Sequence, residues 1–238
     1  AMPRWRSDIM HPIDIVEDIA IGYGYDNMPE QLPTVHLDAV PLKSSHLRRR
    51  VRASLRALGI QETQSLTLSN EKDQFERIRW PQGGGLSIIA NPITVDHTML
   101  RQYMLPSLMR LLAANRHHEL PQKVYELGTV VRDSANATRV AWACAEVGGG
   151  FTAAKGIAQA LLRDIGAEAG DIHFEAVDHR DGPWIGGRGA RAMVSNEEIG
   201  QFGEIDPAVS HEFGLRSPIQ AGEFDIDAIS RLIPDPVL

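Results

Sequence analysis

The sequence predicts an α+β fold built on a largely antiparallel sheet. Helix-like and strand-like segments mix without a regular βαβ beat, and strand candidates come in consecutive pairs joined by polar loops. Hydrophobic residues make up 43% of the chain against 23% charged, the balance of a globular protein with a sizeable core. At 238 residues there is room for one large domain and a small appendage.

From the start of the chain, residues 12–23 read as a helix. Pro12 suits a first turn, Ile15, Val16, Ile19 and Ala20 recur at helical spacing, and Gly22 and Gly24 end it. Residues 26–41 carry Pro29, Pro33 and Pro41 without a sustained period and read as a linker, so the expected domains are 1–38 and 39–238. Residues 44–58 form the next helix, with Ser44 or Ser45 as cap, Leu47, Val51, Leu55 and Leu58 as an apolar stripe, and Gly59 as the stop. Residues 61–68 alternate like a strand, Asn91-Pro92 opens a turn, and residues 106–117 place Leu108, Met109, Leu111 and Leu112 on a helical face. Strands are expected over 124–132 and 140–147, joined by a polar loop over 133–138. A helix over 152–165 stopped by Gly166 follows, and then a strand pair within 191–202 turning at residues 195–198.

The formal net charge of −7 removes any general attraction for a polyanion, so an RNA contact would need a local basic patch. The single cysteine, Cys144, excludes an internal disulfide and sits in an apolar run, as a buried small hydrophobe would; a reducing cytoplasm is the expected compartment. No apolar stretch reaches the roughly 20 residues of a membrane helix, and the first residues lack the apolar core of a signal peptide.

Asp8, Asp14, Glu17 and Asp18 form the sharpest constellation. Offsets of three and four put Asp14, Glu17 and Asp18 on one helix face, with Asp8 just upstream. An all-oxygen cluster suits a hard cation such as magnesium. Acidic residues in a first turn are also favoured by the helix dipole, and Arg4 and Arg6 could supply counter-charge without any metal; the spacing leaves both readings open. Gly148-Gly149-Gly150 ahead of Lys155 invites a phosphate-loop reading, but the order Lys155-Gly156 lacks the required hydroxyl, so a hairpin or loop is expected. His117 and His118 would diverge from a helix and do not read as joint ligands. Lys43, Arg48, Arg49, Arg50, Arg52 and Arg56 crowd one helix, as an RNA-tracking face, an acidic-partner face or a solvated face would.

Several stretches together resemble the phenylalanyl-tRNA synthetase beta subunit family in its archaeal and eukaryotic form. They are residues 6–27, Asn91-Pro-Ile-Thr-Val-Asp-His-Thr-Met-Leu-Arg with Leu105-Pro-Ser-Leu, Tyr125-Glu-Leu-Gly, Phe151-Thr-Ala-Ala-Lys-Gly, and Ile199-Gly-Gln-Phe-Gly-Glu-Ile-Asp-Pro, in the family's order. The resemblance implies the C-terminal part of such a subunit: the end of a small helical, winged-helix-like magnesium-binding domain, then a class II aminoacyl-tRNA synthetase-like module. It implies service to an alpha subunit that activates phenylalanine with ATP, in an (αβ)2 heterotetramer that handles tRNA(Phe). It places Asp8, Asp14, Glu17 and Asp18 on the family's magnesium site, shared with that subunit. The catalytic residues of the class II module are expected to be gone. Val124 stands where the second motif would place an arginine, two residues before Glu126, and residues 220–227 offer no arginine for the third. The family's editing domain lies N-terminal to this stretch. A stand-alone regulatory or amino-acid-binding protein on a degenerate synthetase scaffold is the competing reading.

Overall fold

The computed structural model describes residues 3–32, 34, 41–178 and 180–234. The chain divides into two compact units, Ala1–Val40 and Pro41–Leu238.

In the first unit, α1 (Pro12–Tyr23) has the bounds read from its sequence, and Gly24 closes it with its N–H on the Ala20 carbonyl. A 3-10 turn follows at Tyr25–Asn27. Among the described residues this unit has no strand. Pro33 and residues 35–40 of the expected linker lie outside the described residues.

The second unit is a seven-stranded sheet in the order β1-β4-β5-β9-β8-β7-β6. Its strands are β1 (Gln61–Glu62), β4 (Gln122–Arg132), β5 (Ala135–Ala145), β6 (Ile172–Ala176), β7 (Trp184–Val194), β8 (Glu197–Ile205) and β9 (Ile219–Asp225). Every pairing is antiparallel except β1 with β4. The alternation of β5 divides its side chains between two cores. Val140, Trp142 and Cys144 join one, with Leu47, Val51 and Leu55 of α2 (Lys43–Ala57) and Leu161 and Ile165 of α4 (Phe151–Ile165). Ala141, Ala143 and Ala145 join the other, with Leu105, Leu108 and Met109 of α3 (Leu105–Ala114) and Val209 of α5 (Pro207–Glu212). Helix α6 (Ile226–Leu232) completes the first layer through Ile226 and Ile229.

Several boundaries differ from the sequence expectation. Ser44 and Ser45 lie inside α2, whose N-cap is Leu42 with no side-chain cap. Residues 61–68 do not form one strand, because Gln61–Glu62 joins the main sheet while β2 (Leu68–Ser69) pairs with β3 (Met99–Leu100) in a separate ladder. The expected loop at 133–138 shrinks to two residues, Asp133 and Ser134, with φ of 51° and 60°; Ser195 and Asn196 do the same at 49° and 66°. Both are hairpin turns with two left-handed central residues, whose twist matches the flanking strands, so the strands extend into the expected loops. A six-residue π-helix (Lys72–Arg77) had no periodic signal.

Candidate functional site

Two places hold chemistry. The first is the start of α1. Asp14 turns back on its own helix and accepts from the backbone amides of Met10 at 2.8 Å and His11 at 2.7 Å. The His11 ring in turn accepts from the Ile13 amide at 3.3 Å, a reciprocal cap. The Arg6 guanidinium spans Asp8, at 2.7 Å, and Asp18, at 2.8 Å. Its hydrogen bonds hold the Asp8 carboxyl below the usual carboxylate range. Glu17 is exposed and unpaired among the described residues. Among the described residues no three His, Cys, Asp or Glu side chains gather as a metal cage. The residue types fit magnesium but the arrangement does not: Arg6 occupies the place between Asp8 and Asp18, and Asp14 is committed to amides.

The second place is a cleft of about 940 Å³ on the face of the second core. Its floor crosses three adjacent strands, where Gln201 of β8 stands opposite Glu223 of β9, and Glu223 opposite Ala141 of β5. Arg139, two residues from Ala141 on the same face, reaches Glu223 at 3.6 Å and Asp225 at 3.3 Å. Arg132 enters from the end of β4 and donates to the Gln102 carbonyl. The wall is aromatic. Trp80 and Tyr103 have ring centroids 4.8 Å apart, and the Arg132 guanidinium lies 4.7 Å from the Tyr103 centroid. The indole N–H groups of Trp184 and Trp80 both donate to the Gln201 side-chain oxygen, at 3.0 and 3.4 Å.

Glycine makes this floor close enough to pack. Gly200 has φ of 148°, and a Cβ there would lie 2.0 Å from the Glu223 carbonyl. The neighbouring β-bulge explains why Ile199 and Phe202 both reach the first core while Gln201 faces the cleft.

The other sequence candidates fall elsewhere. Gly148 lies in a turn and Gly150 caps α4, with no lysine at the helix start; Lys155 sits over the Phe174 ring at 5.7 Å. His117 and His118 stack on one another after α3 rather than diverging from a helix. Three of the four expected stripe residues of α2, Leu47, Val51 and Leu55, are buried in the first core of their own chain, while Leu58 caps the helix and is exposed. Arg48 bonds Thr138, Arg50 the Asp164 carbonyl and Arg52 Glu62, so much of the basic face is already engaged. Arg132, Arg139 and Glu223 were not singled out in the sequence. Position 124 and residues 220–227 hold no arginine, and the hairpin register brings Arg132 and Arg139 to the cleft instead.

The model of the phenylalanyl-tRNA synthetase beta chain CLM domain matches residues 28–226. The chain belongs to the phenylalanyl-tRNA synthetase beta chain family. The tRNA synthetase B5 domain model matches residues 1–25. Phenylalanine–tRNA ligase beta subunits of Methanothrix thermoacetophila, Methanococcoides burtonii and Archaeoglobus fulgidus are similar to it at 36%, 35% and 34% identity over 94%, 95% and 95% of this chain. The chain spans 41% of the length of each of these beta subunits. A solved pyrrolysyl-tRNA synthetase from Desulfitobacterium hafniense aligns at a TM-score of 0.57 over 78% of this chain and 66% of its own, at 13% identity. That likeness supports a tRNA-synthetase fold for a beta chain module whose sheet is almost wholly antiparallel.

Proposed function

We propose that this chain is a non-catalytic structural part of a phenylalanine–tRNA ligase beta subunit, assembling with the alpha subunit that attaches phenylalanine to its tRNA with ATP. The match of the beta chain model across residues 28–226 carries the reading. Exposed apolar residues on α1 support it: Ile13, Val16 and Ile19 are 55–65% exposed, and no residue of that helix is buried. The stoichiometry (αβ)2, handling of tRNA(Phe) by the whole assembly, a cytoplasmic location, and the winged-helix-like character of residues 1–38 belong to the same proposal. No described helix is long and apolar enough to cross a membrane.

Magnesium at Asp8, Asp14, Glu17 and Asp18 joins this reading only if Arg6 gives up Asp8 and Asp18 and Asp14 leaves its amides. Co-expression of the chain with the alpha subunit of the same organism tests the proposal. Co-elution as one complex on size exclusion is expected. Separate elution of two folded polypeptides would refute a docking role for this part of the subunit.

A further inference from the structure

The cleft has charge demands that its own residues leave unmet. Glu223 is 2% exposed, and one carboxylate oxygen accepts from the Met104 and Leu105 amides at 2.9 and 2.8 Å. The other oxygen has no hydrogen-bond partner and looks toward Arg139 at 3.6 Å. Arg132 is half-buried, and among the described residues no carboxylate lies within ion-pair range of it. Burial, and then Arg139 beside it, hold the Arg132 guanidinium below its ordinary pKa, while Tyr103, Glu223 and Asp225 act in the opposite direction. The rim arginines are provided for: Arg79 pairs with Asp206, and Arg191 with Asp181 and Glu198.

A buried carboxylate oxygen with no hydrogen-bond donor and a half-buried guanidinium with no carboxylate in ion-pair range, both lining one cleft, call for a ligand with both charges. The aromatic wall calls for an apolar body. We propose that the cleft binds a free α-amino acid with an apolar or aromatic side chain, its carboxylate on Arg132, its ammonium on Glu223 and its side chain against Trp80 and Tyr103. A zwitterion brings one charge to each of the two groups and adds no net charge to the cleft. A simple anion or a simple cation would satisfy one demand and leave the other. Arg132, Tyr103 and Glu223 all line this one cleft, with the Arg132 guanidinium against the Tyr103 ring.

The test is calorimetric titration of the 238-residue chain, with tryptophan fluorescence as second readout because Trp80 lines the cleft. The probes are L-phenylalanine, 3-phenylpropanoate, which lacks the ammonium, and phenethylamine, which lacks the carboxylate. L-Phenylalanine is expected to bind at least about tenfold tighter than either, since each loses one charge-assisted contact. Glu223→Gln keeps an oxygen for the Met104 and Leu105 amides. It should weaken L-phenylalanine about tenfold while leaving 3-phenylpropanoate unchanged. Arg132→Met should weaken both carboxylates and spare phenethylamine. Equal affinity for the three probes, or no heat and no fluorescence change with L-phenylalanine up to about 10 mM, would overturn the proposal without recourse to any variant.

Discussion

Arg101 donates to Glu126 at 2.7 Å, and both side chains are at most 3% exposed. The pair joins two stretches that carried the family resemblance, the one ending Met-Leu-Arg and the Tyr-Glu-Leu-Gly strand, and it pins the segment after β3 onto β4. Ser65 bonds both partners, accepting from Arg101 at 2.8 Å and donating to Glu126 at 2.5 Å, so the network is closed on both sides.

Glu126→Ala leaves the Arg101 cation buried and uncompensated, and a loss of about 3–5 kcal/mol is expected. Urea unfolding reads it as a lowered midpoint at unchanged slope. Replacing both partners, Arg101→Met with Glu126→Leu, should recover most of that loss. A double variant as unstable as Glu126→Ala would mean that Ser65 and the backbone contacts, not the charge pair, hold this segment.

Burial pushes the Cys144 thiol up to about 12. Only the thiolate attacks a disulfide reagent, so the native chain should label very slowly at pH 8 and at full rate in urea. Fast native labelling would place Cys144 at the surface rather than in the first core.

Gly200→Ala puts a methyl group against the Glu223 carbonyl at a φ disfavoured for side chains, and should cost more than about 2 kcal/mol. Thermal unfolding checks it. An unchanged melting temperature would mean that β8 and β9 can separate locally without cost.

Arg6→Ala frees Asp8 and Asp18 and should tighten magnesium binding by the chain, followed by calorimetry. Unchanged or absent magnesium binding in Arg6→Ala would leave the acidic group as a capped, ion-paired helix start.

Local signals were the most legible part of the sequence. Pro12, Gly24 and the apolar spacing between them set α1, and Gly166, in the left-handed conformation, stops α4 where expected. The central strand β9 was invisible as a strand because Gln220, Glu223 and Phe224 are all buried, and burial on both faces erases polar–apolar alternation. The cleft was hidden for a related reason: Arg132 and Arg139 are seven residues apart, and the two-residue turn sets the register that brings both into the cleft that Glu223 lines. The acidic spacing was read as it stands, but spacing alone could not reveal that the Arg6 fork reaches both Asp8 and Asp18.

The central claim is that this module has no adenylation chemistry of its own and serves a subunit that has. Phenylalanine-dependent ATP–pyrophosphate exchange tests it most directly, run on the 238-residue chain alone and on the alpha subunit co-expressed with its complete beta subunit. The expected result is exchange by the assembled enzyme and none by the chain alone, including at phenylalanine concentrations that fill the β-sheet cleft. Phenylalanine-dependent exchange by the isolated chain, abolished by Arg132→Met, would contradict the account and make the cleft an active site.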